Sequence, residues 1–207
     1  MKYKTIFITG GAGYVGSRLV PILIEKGYKL TVYDAMFFGE KVLPKQNENL
    51  KIVKGDIRDT NLLANSCENH DVFINLACIS NDNSFVLDEK LSRSVNFDSF
   101  EPMIRAAKKS GIKRFIHAST SSVYGVSAKK NVTEDHELVP LTLYNKYKAL
   151  VEPQLLNSID KKFEAVIFRP ATVCGYAKRQ RLDLSVNILT NFAVNKSVIK
   201  VFGWEQL

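Results

Sequence analysis

Three features of this 207-residue chain predict an α/β fold built on a doubly wound parallel sheet. Short apolar, β-branched runs alternate with longer helical patterns along the sequence. The runs are largely apolar throughout, as strands are when helices cover both sheet faces. A glycine-rich turn, Thr9-Gly10-Gly11-Ala12-Gly13-Tyr14-Val15-Gly16-Ser17, joins the first run to the first helical pattern. Strands that alternate with helices in this way need crossover connections, and those are right-handed.

The first strand is expected over 3–9 (YKTIFIT), and a helix over 14–26 follows with Val15, Leu19, Ile22 and Leu23 on its apolar face. Strands follow at 29–33 (KLTVY) and 50–54 (LKIVK), then a helix over 59–66 that Asp59 can cap ahead of Asn61-Leu62-Leu63. The fourth strand, 71–76 (DVFINL), leads into a long helical pattern over 87–109. A fifth strand at 113–118 (KRFIHA), a helix over 144–159 and a sixth strand at 163–168 (FEAVIF) complete the alternation. Pro21 and Pro153 fall inside helical patterns, where a missing N–H should kink or divide the helix. The run Val198-Ile199-Lys200-Val201-Phe202-Gly203 reads as one further strand, with an apolar face and an unpaired edge.

Composition narrows the function classes. Lys plus Arg number 29 against 21 Asp plus Glu, a net charge of +8, and 45% of residues are hydrophobic. No apolar run is long enough to span a membrane, because the best candidate breaks at Glu25 and Lys26. The start MKYKTIFITGG reaches its glycines too early for a signal peptide, which points to a cytoplasmic protein. Cys67, Cys78 and Cys174 are far apart and odd in number, as free thiols of a reducing compartment are. His70, His117 and His136 show no metal-ligand spacing, so no metal is expected. The basic residues are dispersed, apart from short pairs and Lys178-Arg179-Gln180-Arg181. They read as solvated faces, or as attraction for a polyanionic small molecule, rather than as a nucleic-acid surface.

The glycine turn carries the first chemistry. Glycines there let the backbone approach a pyrophosphate, while the helix start presents free N–H groups to it. Asp34 ends the second strand 18 positions beyond Gly16, where a carboxylate can accept from both adenosine ribose hydroxyls. A carboxylate there repels a 2′-phosphate and no arginine follows closely, which favours NAD over NADP. Asp56, in Gly55-Asp56-Ile57-Arg58-Asp59, suits either an adenine amino group or a cap on the next helix.

The second chemistry lies at Tyr144 and Lys148, four residues apart and so on one helical face. A phenol is a poor base at neutral pH, and lowering its pKa by about 3 units takes roughly 4 kcal/mol of differential stabilisation. An ammonium one turn away and a positive nicotinamide can supply it. After the fifth strand, Ser119-Thr120-Ser121-Ser122 offers four hydroxyls, suited to a substrate hydroxyl or simply to a polar loop.

Together the segments ITGGAGYVGS, VYD, KGDIRD, INLA, SSVYG, YxxxK and FRPATVCG resemble the extended short-chain dehydrogenase/reductases. Within these, the chain is similar to the NAD-dependent sugar-nucleotide epimerase/dehydratase family, UDP-glucose 4-epimerase-like proteins above all. The resemblance implies a Rossmann domain over 1–170 and, over 171–207, the beginning of an incomplete substrate-binding region. It implies that Gly10, Gly13 and Gly16 form the dinucleotide turn, with Tyr14 and Val15 in backbone contact. Asp34 would hold the ribose, Asp56 and Ile57 the adenine, and Leu76, Ala77 and Asn96 the rest of the cofactor cleft. Tyr144 matches the general base, Lys148 the lysine that binds the nicotinamide ribose and lowers the tyrosine pKa, both in contact with the cofactor, and Thr120 the residue that bonds the sugar hydroxyl.

The resemblance further implies a nucleotide-sugar substrate and a homodimer through the helices near 87–109 and 144–159. Ser121 and Ser122 stand where sugar-nucleotide dehydratases carry an Asp-Glu pair, which argues against dehydration. Leu76-Ala77-Cys78 departs mildly from the usual LAA, and Ser99-Phe100 replaces the usual Gly-Thr. Family members run longer, and their C-terminal part builds the sugar pocket. The expectation is therefore an epimerase or oxidoreductase short in its substrate domain, the alternative being a truncated, non-catalytic NAD-binding paralogue.

Overall fold

In the computed structural model, which describes residues 2–80 and 82–200, six parallel strands form one sheet. The strands are β1 (Thr5–Thr9), β2 (Lys29–Asp34), β3 (Leu50–Lys54), β4 (Val72–Asn75), β5 (Arg114–Ala118) and β6 (Glu164–Phe168), and their order is β3-β2-β1-β4-β5-β6. All six coincide with apolar runs of the sequence. The inner strands β1 and β4 are almost wholly buried, whereas the outer β3 and β6 are more open. The chain winds outward from β1 through β2 to β3, returns, and winds the other way from β4. Between β1 and β4 the strand order reverses, and the carboxyl ends of those two strands leave a crevice.

Alternating side chains feed two cores. On one face Phe7, Phe73 and Phe115 line up across the sheet, with ring centroids 5.0 Å and 4.6 Å apart. This face packs against Leu63 of α2 (Thr60–Cys67), Met103 and Ile104 of α5 (Phe100–Lys109), and Val151 and Leu155 of α6 (Leu143–Leu156). On the other face Ile6, Ile8, Leu30 and Val32 pack with Val20 of α1 (Tyr14–Glu25). Burying such side chains contributes about 1.5–3 kcal/mol each. Aromatics directly beside one another on neighbouring strands add to this.

The helices differ from the sequence expectation in three respects. Neither proline divides its helix: α1 runs through Pro21 and α6 through Pro153. Each proline removes one N–H bond, and core-packed residues on both sides of the gap (Val20, Leu23 and Ile24 in α1; Val151 and Leu155 in α6) anchor the helix. The pattern over 87–109, by contrast, is not one helix. It contains the end of α3 (Asp82–Leu87), then α4 (Glu89–Arg93), a π-helical turn (Ser94–Asp98) and α5. Asp88 breaks it by adopting an extended conformation, and its carboxylate caps the new start by accepting from the Leu91 N–H at 2.9 Å. A seventh helix, α7 (Ser185–Lys196), follows β6. Residues 198–200 are not in a strand, and the rest of the expected seventh strand lies outside the described residues.

The amino ends of three central strands are pinned by one carboxylate. Asp71 accepts from the main-chain N–H groups of Lys4 (2.9 Å) and Thr5 (3.3 Å) and pairs with Lys113 Nζ at 2.7 Å. Lys113 foremost, then these N–H groups, hold the Asp71 carboxyl well below the usual carboxylate range. A depressed folded-state pKa gives stability that is present above about pH 4, the unfolded value, and is lost as pH falls through the folded one. Asp71→Asn is therefore expected to lower the urea midpoint at pH 7 and to flatten its decline between about pH 4 and pH 2. A variant whose midpoint tracks the wild type at every pH would remove Asp71 from the acid response.

Candidate functional site: a cleft between the glycine turn and a Tyr-Lys helix

At the end of β1 the chain turns through Gly10, whose φ of 73° lies in the left-handed region. A Cβ at Gly10 would stand 2.5 Å from the Ala77 nitrogen, and one at Gly16 only 2.4 Å from the Gly11 carbonyl oxygen. The close approach of turn, helix and β4 thus needs glycine at both positions. Gly13 is the N-cap of α1 and supplies no side-chain cap, so the first-turn N–H groups remain available to a ligand. Gly10→Ala meets both the clash and the unfavourable φ, and should cost about 1–3 kcal/mol. Thermal unfolding would measure it, and an unchanged midpoint would refute the account of this turn.

Asp34 Oδ2 accepts from the Ala12 N–H at 2.9 Å and Oδ1 from the Met36 N–H at 2.8 Å. The carboxylate is thereby fixed beside the glycine turn, with one lone pair of each oxygen to spare. From here a cleft of about 830 Å³ extends past the carboxyl ends of β1 and β4 to α6. Gly10, Gly13, Tyr14, Val15, Gly16, Asp34, Asp56, Ile57, Leu76, Ala77, Tyr144 and Lys148 all line it. Its dimensions, the uncapped helix start and the carboxylate at one end fit an extended dinucleotide. Asp56 is held by Arg58, whose main-chain N–H and Nε both reach Oδ1 at 2.9 Å, and Arg58 foremost lowers its pKa. The capping carboxylate of α2 is Asp59, which accepts from the Leu62 N–H at 3.0 Å.

Two sequence-predicted residues lie off the cleft wall. Asn96, buried in the π-helical turn, spends both amide atoms on the Ile79 main chain, accepting from its N–H and donating to its carbonyl at 2.9 Å each. It thus holds in place a segment that does line the cleft. Thr120 Oγ1 accepts from the Ser122 N–H at 3.2 Å and caps the short 3₁₀ turn Ser121–Tyr124. Of the four-hydroxyl run, Ser119 is also committed, donating to Glu152 Oε1 at 2.5 Å.

At the far end α6 begins at its cap Thr142, whose Oγ1 accepts from the Asn145 N–H at 3.3 Å. Lys148 is buried and donates from Nζ to the Ala118 carbonyl at 2.7 Å, 6.0 Å from the centroid of the Tyr144 ring. The spacing suggests that Lys148 lowers the Tyr144 pKa. In the structure burial pushes the phenol well above its ordinary value, the neighbouring Cys78 adds to this, and Arg181 opposes it. Among this chain's own groups desolvation wins, and Tyr144 rests as the protonated phenol. On the neighbouring β5, burial and then Lys148 pull His117 well below the ordinary imidazole value. His117 is therefore neutral, and its Nδ1 meets Asn75 Nδ2 at 3.2 Å.

Behind this end lies a pair that sequence reasoning missed. Glu152 is 1% exposed and accepts from Arg169 Nη2 at 2.6 Å, while Arg169 Nη1 donates to the Tyr124 hydroxyl at 2.7 Å. The i, i+4 series Tyr144, Lys148, Glu152 was the available signal, since it places all three on one helical face. Arg179 and Arg181 also enter the cleft wall, brought there from beyond β6. Among the described residues no cluster of His, Cys, Asp and Glu could hold a metal ion, and no helix is long and apolar enough to cross a membrane.

A model of the NAD-dependent epimerase/dehydratase family matches residues 6–204. The chain belongs to that family. Among its relatives, a 3β-hydroxysteroid dehydrogenase/Δ5→4-isomerase of Mycobacterium tuberculosis is 30% identical over 181 residues, covering 82% of this chain and 47% of that protein. A UDP-glucose 4-epimerase of Rhizobium meliloti is 29% identical, covering 84% of this chain and 53% of that protein. The crystal structure of a UDP-glucose 4-epimerase from Thermotoga maritima with UDP-glucose superposes with a TM-score of 0.84 at 26% identity, covering 97% of this chain and 66% of that one. The chain thus spans about half to two thirds of the length of these relatives.

Proposed function

We infer that the cleft binds NAD and that this chain carries the proton-transfer half of a reversible oxidation at a hydroxyl of a nucleotide sugar, as an epimerase or oxidoreductase. The observation that carries this reading is the placement of Asp34 and the uncapped start of α1 at one end of the cleft that has Tyr144 and Lys148 at the other. Gly10, Gly13, Tyr14, Val15 and Gly16 cradle the pyrophosphate, and Asp34 accepts from the adenosine ribose hydroxyls. Asp56 and Ile57 flank the adenine, while Leu76 and Ala77, backed by Asn96 through Ile79, form the wall under the remainder. Bound NAD supplies the hydride acceptor and a positive charge at the catalytic end.

Tyr144 exchanges a proton with the sugar hydroxyl, and Thr120, capping the 3₁₀ turn from off the cleft wall, steadies the loop beside that hydroxyl. Lys148, fixed by the Ala118 carbonyl, holds positive charge beside the phenol and favours the phenolate once a second positive charge joins it. Residues 1–170 form the cofactor domain in this reading, and 171–207 open the substrate region.

Thermal unfolding of the chain tests it. NAD at 100 times its dissociation constant should add about 2.7 kcal/mol of stability. NADP should add much less, because Asp34 repels a 2′-phosphate, and UDP-glucose added to the NAD complex should raise the midpoint again. No shift with NAD would sink the reading. A shift with NAD alone would reduce it to a cofactor-binding module.

A further inference from the structure

Two arginines of the cleft wall, Arg179 and Arg181, come from beyond β6. After β6, residues 175–183 return across the molecule and are tied to both sides of the cleft. On one side the Tyr14 hydroxyl donates to the Gly175 carbonyl at 2.7 Å, and the Arg179 N–H reaches Ser17 Oγ at 3.2 Å. On the other, Arg181 Nη1 reaches Ser80 Oγ at 3.2 Å. The strap is thus anchored across α1 and the segment after β4, the two walls that flank the glycine turn.

The two guanidiniums are not equivalent. Arg181 is matched by Asp183 at 2.5 Å and stands toward the Tyr144 end, where it acts electrostatically on the phenol. Arg179 has no ion-pair partner among the described residues. Its guanidinium carbon sits over the Phe38 ring, 3.7 Å from the centroid, and both side chains line the cleft. Burial, and then the like charge of Arg181, pull its pKa below the ordinary guanidinium value. Arg179 is thus a half-buried positive charge over an aromatic ring, with Nη1 on the Gln180 carbonyl at 3.4 Å and Asp183 acting on it only at longer range.

Its main chain touches the residue that follows Gly16, so this charge belongs to the same end of the cleft as the free N–H groups of α1. A guanidinium presents parallel donors that match phosphate oxygens two at a time, and stacking fixes their direction in advance. We propose that Arg179 binds the pyrophosphate of the dinucleotide in the cleft, facing the α1 N-terminus across it and fastening the strap over the cofactor. This rests on the reading of the cleft as a dinucleotide site. It adds a residue from beyond β6 to a task that the glycine turn otherwise performs alone.

Titration calorimetry of NAD, ADP-ribose, adenosine and UDP against wild type, Arg179→Ala and Arg179→Lys separates the outcomes. Arg179→Ala should weaken NAD and ADP-ribose by about tenfold or more, as the loss of a charged hydrogen bond does. Adenosine, which has no phosphate, should bind as before, and Arg179→Lys should recover part of the loss. Added salt should weaken NAD binding more in the wild type than in Arg179→Ala. Unchanged ADP-ribose affinity in Arg179→Ala would overturn the assignment while leaving the cleft a dinucleotide site. Equal loss for adenosine would overturn it too, by exposing a general loosening of the cleft. Loss confined to UDP would move the arginine to the substrate. A wild type that binds none of the adenosine ligands would overturn the cleft reading itself.

Discussion

Glu152→Ala should cost about 3–5 kcal/mol of folding stability, as removing one partner of a buried ion pair does. Glu152 is 1% exposed and spends its carboxylate on Arg169 and on the Ser119 hydroxyl. The carboxylate foremost raises the Arg169 pKa, a sign of how closely the two charges depend on each other. Truncation leaves that guanidinium, whose side chain is 18% exposed, with only the Tyr124 hydroxyl and the Glu134 carbonyl. Urea unfolding would measure the loss. Replacing both partners, Glu152→Leu with Arg169→Met, should recover most of it, because no charge is then left stranded. A single variant within about 1 kcal/mol of wild type, as for an exposed ion pair, would show that water already reaches the pair.

The second large effect is on chemistry. Tyr144→Phe should lower turnover by on the order of 10²–10⁴-fold, the usual contribution of a placed proton carrier. The change keeps the ring, and with it the packing against Phe85 at 6.4 Å between centroids. The midpoint rise with NAD should therefore persist in the variant. Because burial holds the phenol protonated, oxidation by the wild type should accelerate as pH rises toward the phenol pKa of the complex, and this rise should vanish with the hydroxyl. Stopped-flow detection of NADH formation across pH reads both effects. Retained turnover would remove Tyr144 from the proton path.

How much of this was legible in the sequence depends on how local each cause is. All six strands were legible because inner strands covered on both faces must be apolar at nearly every position, as Ile6-Phe7-Ile8 and Val72-Phe73-Ile74 are. The glycine turn was legible because steric demand leaves no other residue at Gly10 and Gly16. The break at Asp88 was not. Its cap bond looks like any other aspartate in the sequence, and the π-helical turn is stabilised by Asn96 reaching Ile79, 17 residues away. The strap was out of reach for the same reason. Lys178-Arg179-Gln180-Arg181 reads as a solvated basic run until the fold carries Arg179 back onto Ser17, 162 residues earlier. The tyrosine followed a third pattern. Spacing identified its lysine neighbour, but burial, which spacing does not encode, pushes its pKa up where the spacing alone pointed down.

The π-helical turn at Ser94–Asp98 amounts to one residue more than a regular helix would hold. Each residue turns an α-helix by about 100°, so deleting one here would rotate everything on one side against the other. If α5 kept its place, with Phe100, Met103 and Ile104 in the core, Asn96 would swing off Ile79 and release the cleft wall. If Asn96 kept its place, those three core side chains would turn toward water. Substitutions in this stretch can be absorbed one at a time, but a change of length cannot. The turn sets the phase between two commitments of the chain, the cleft wall on one side and the core on the other, and one residue is the unit in which that phase is counted.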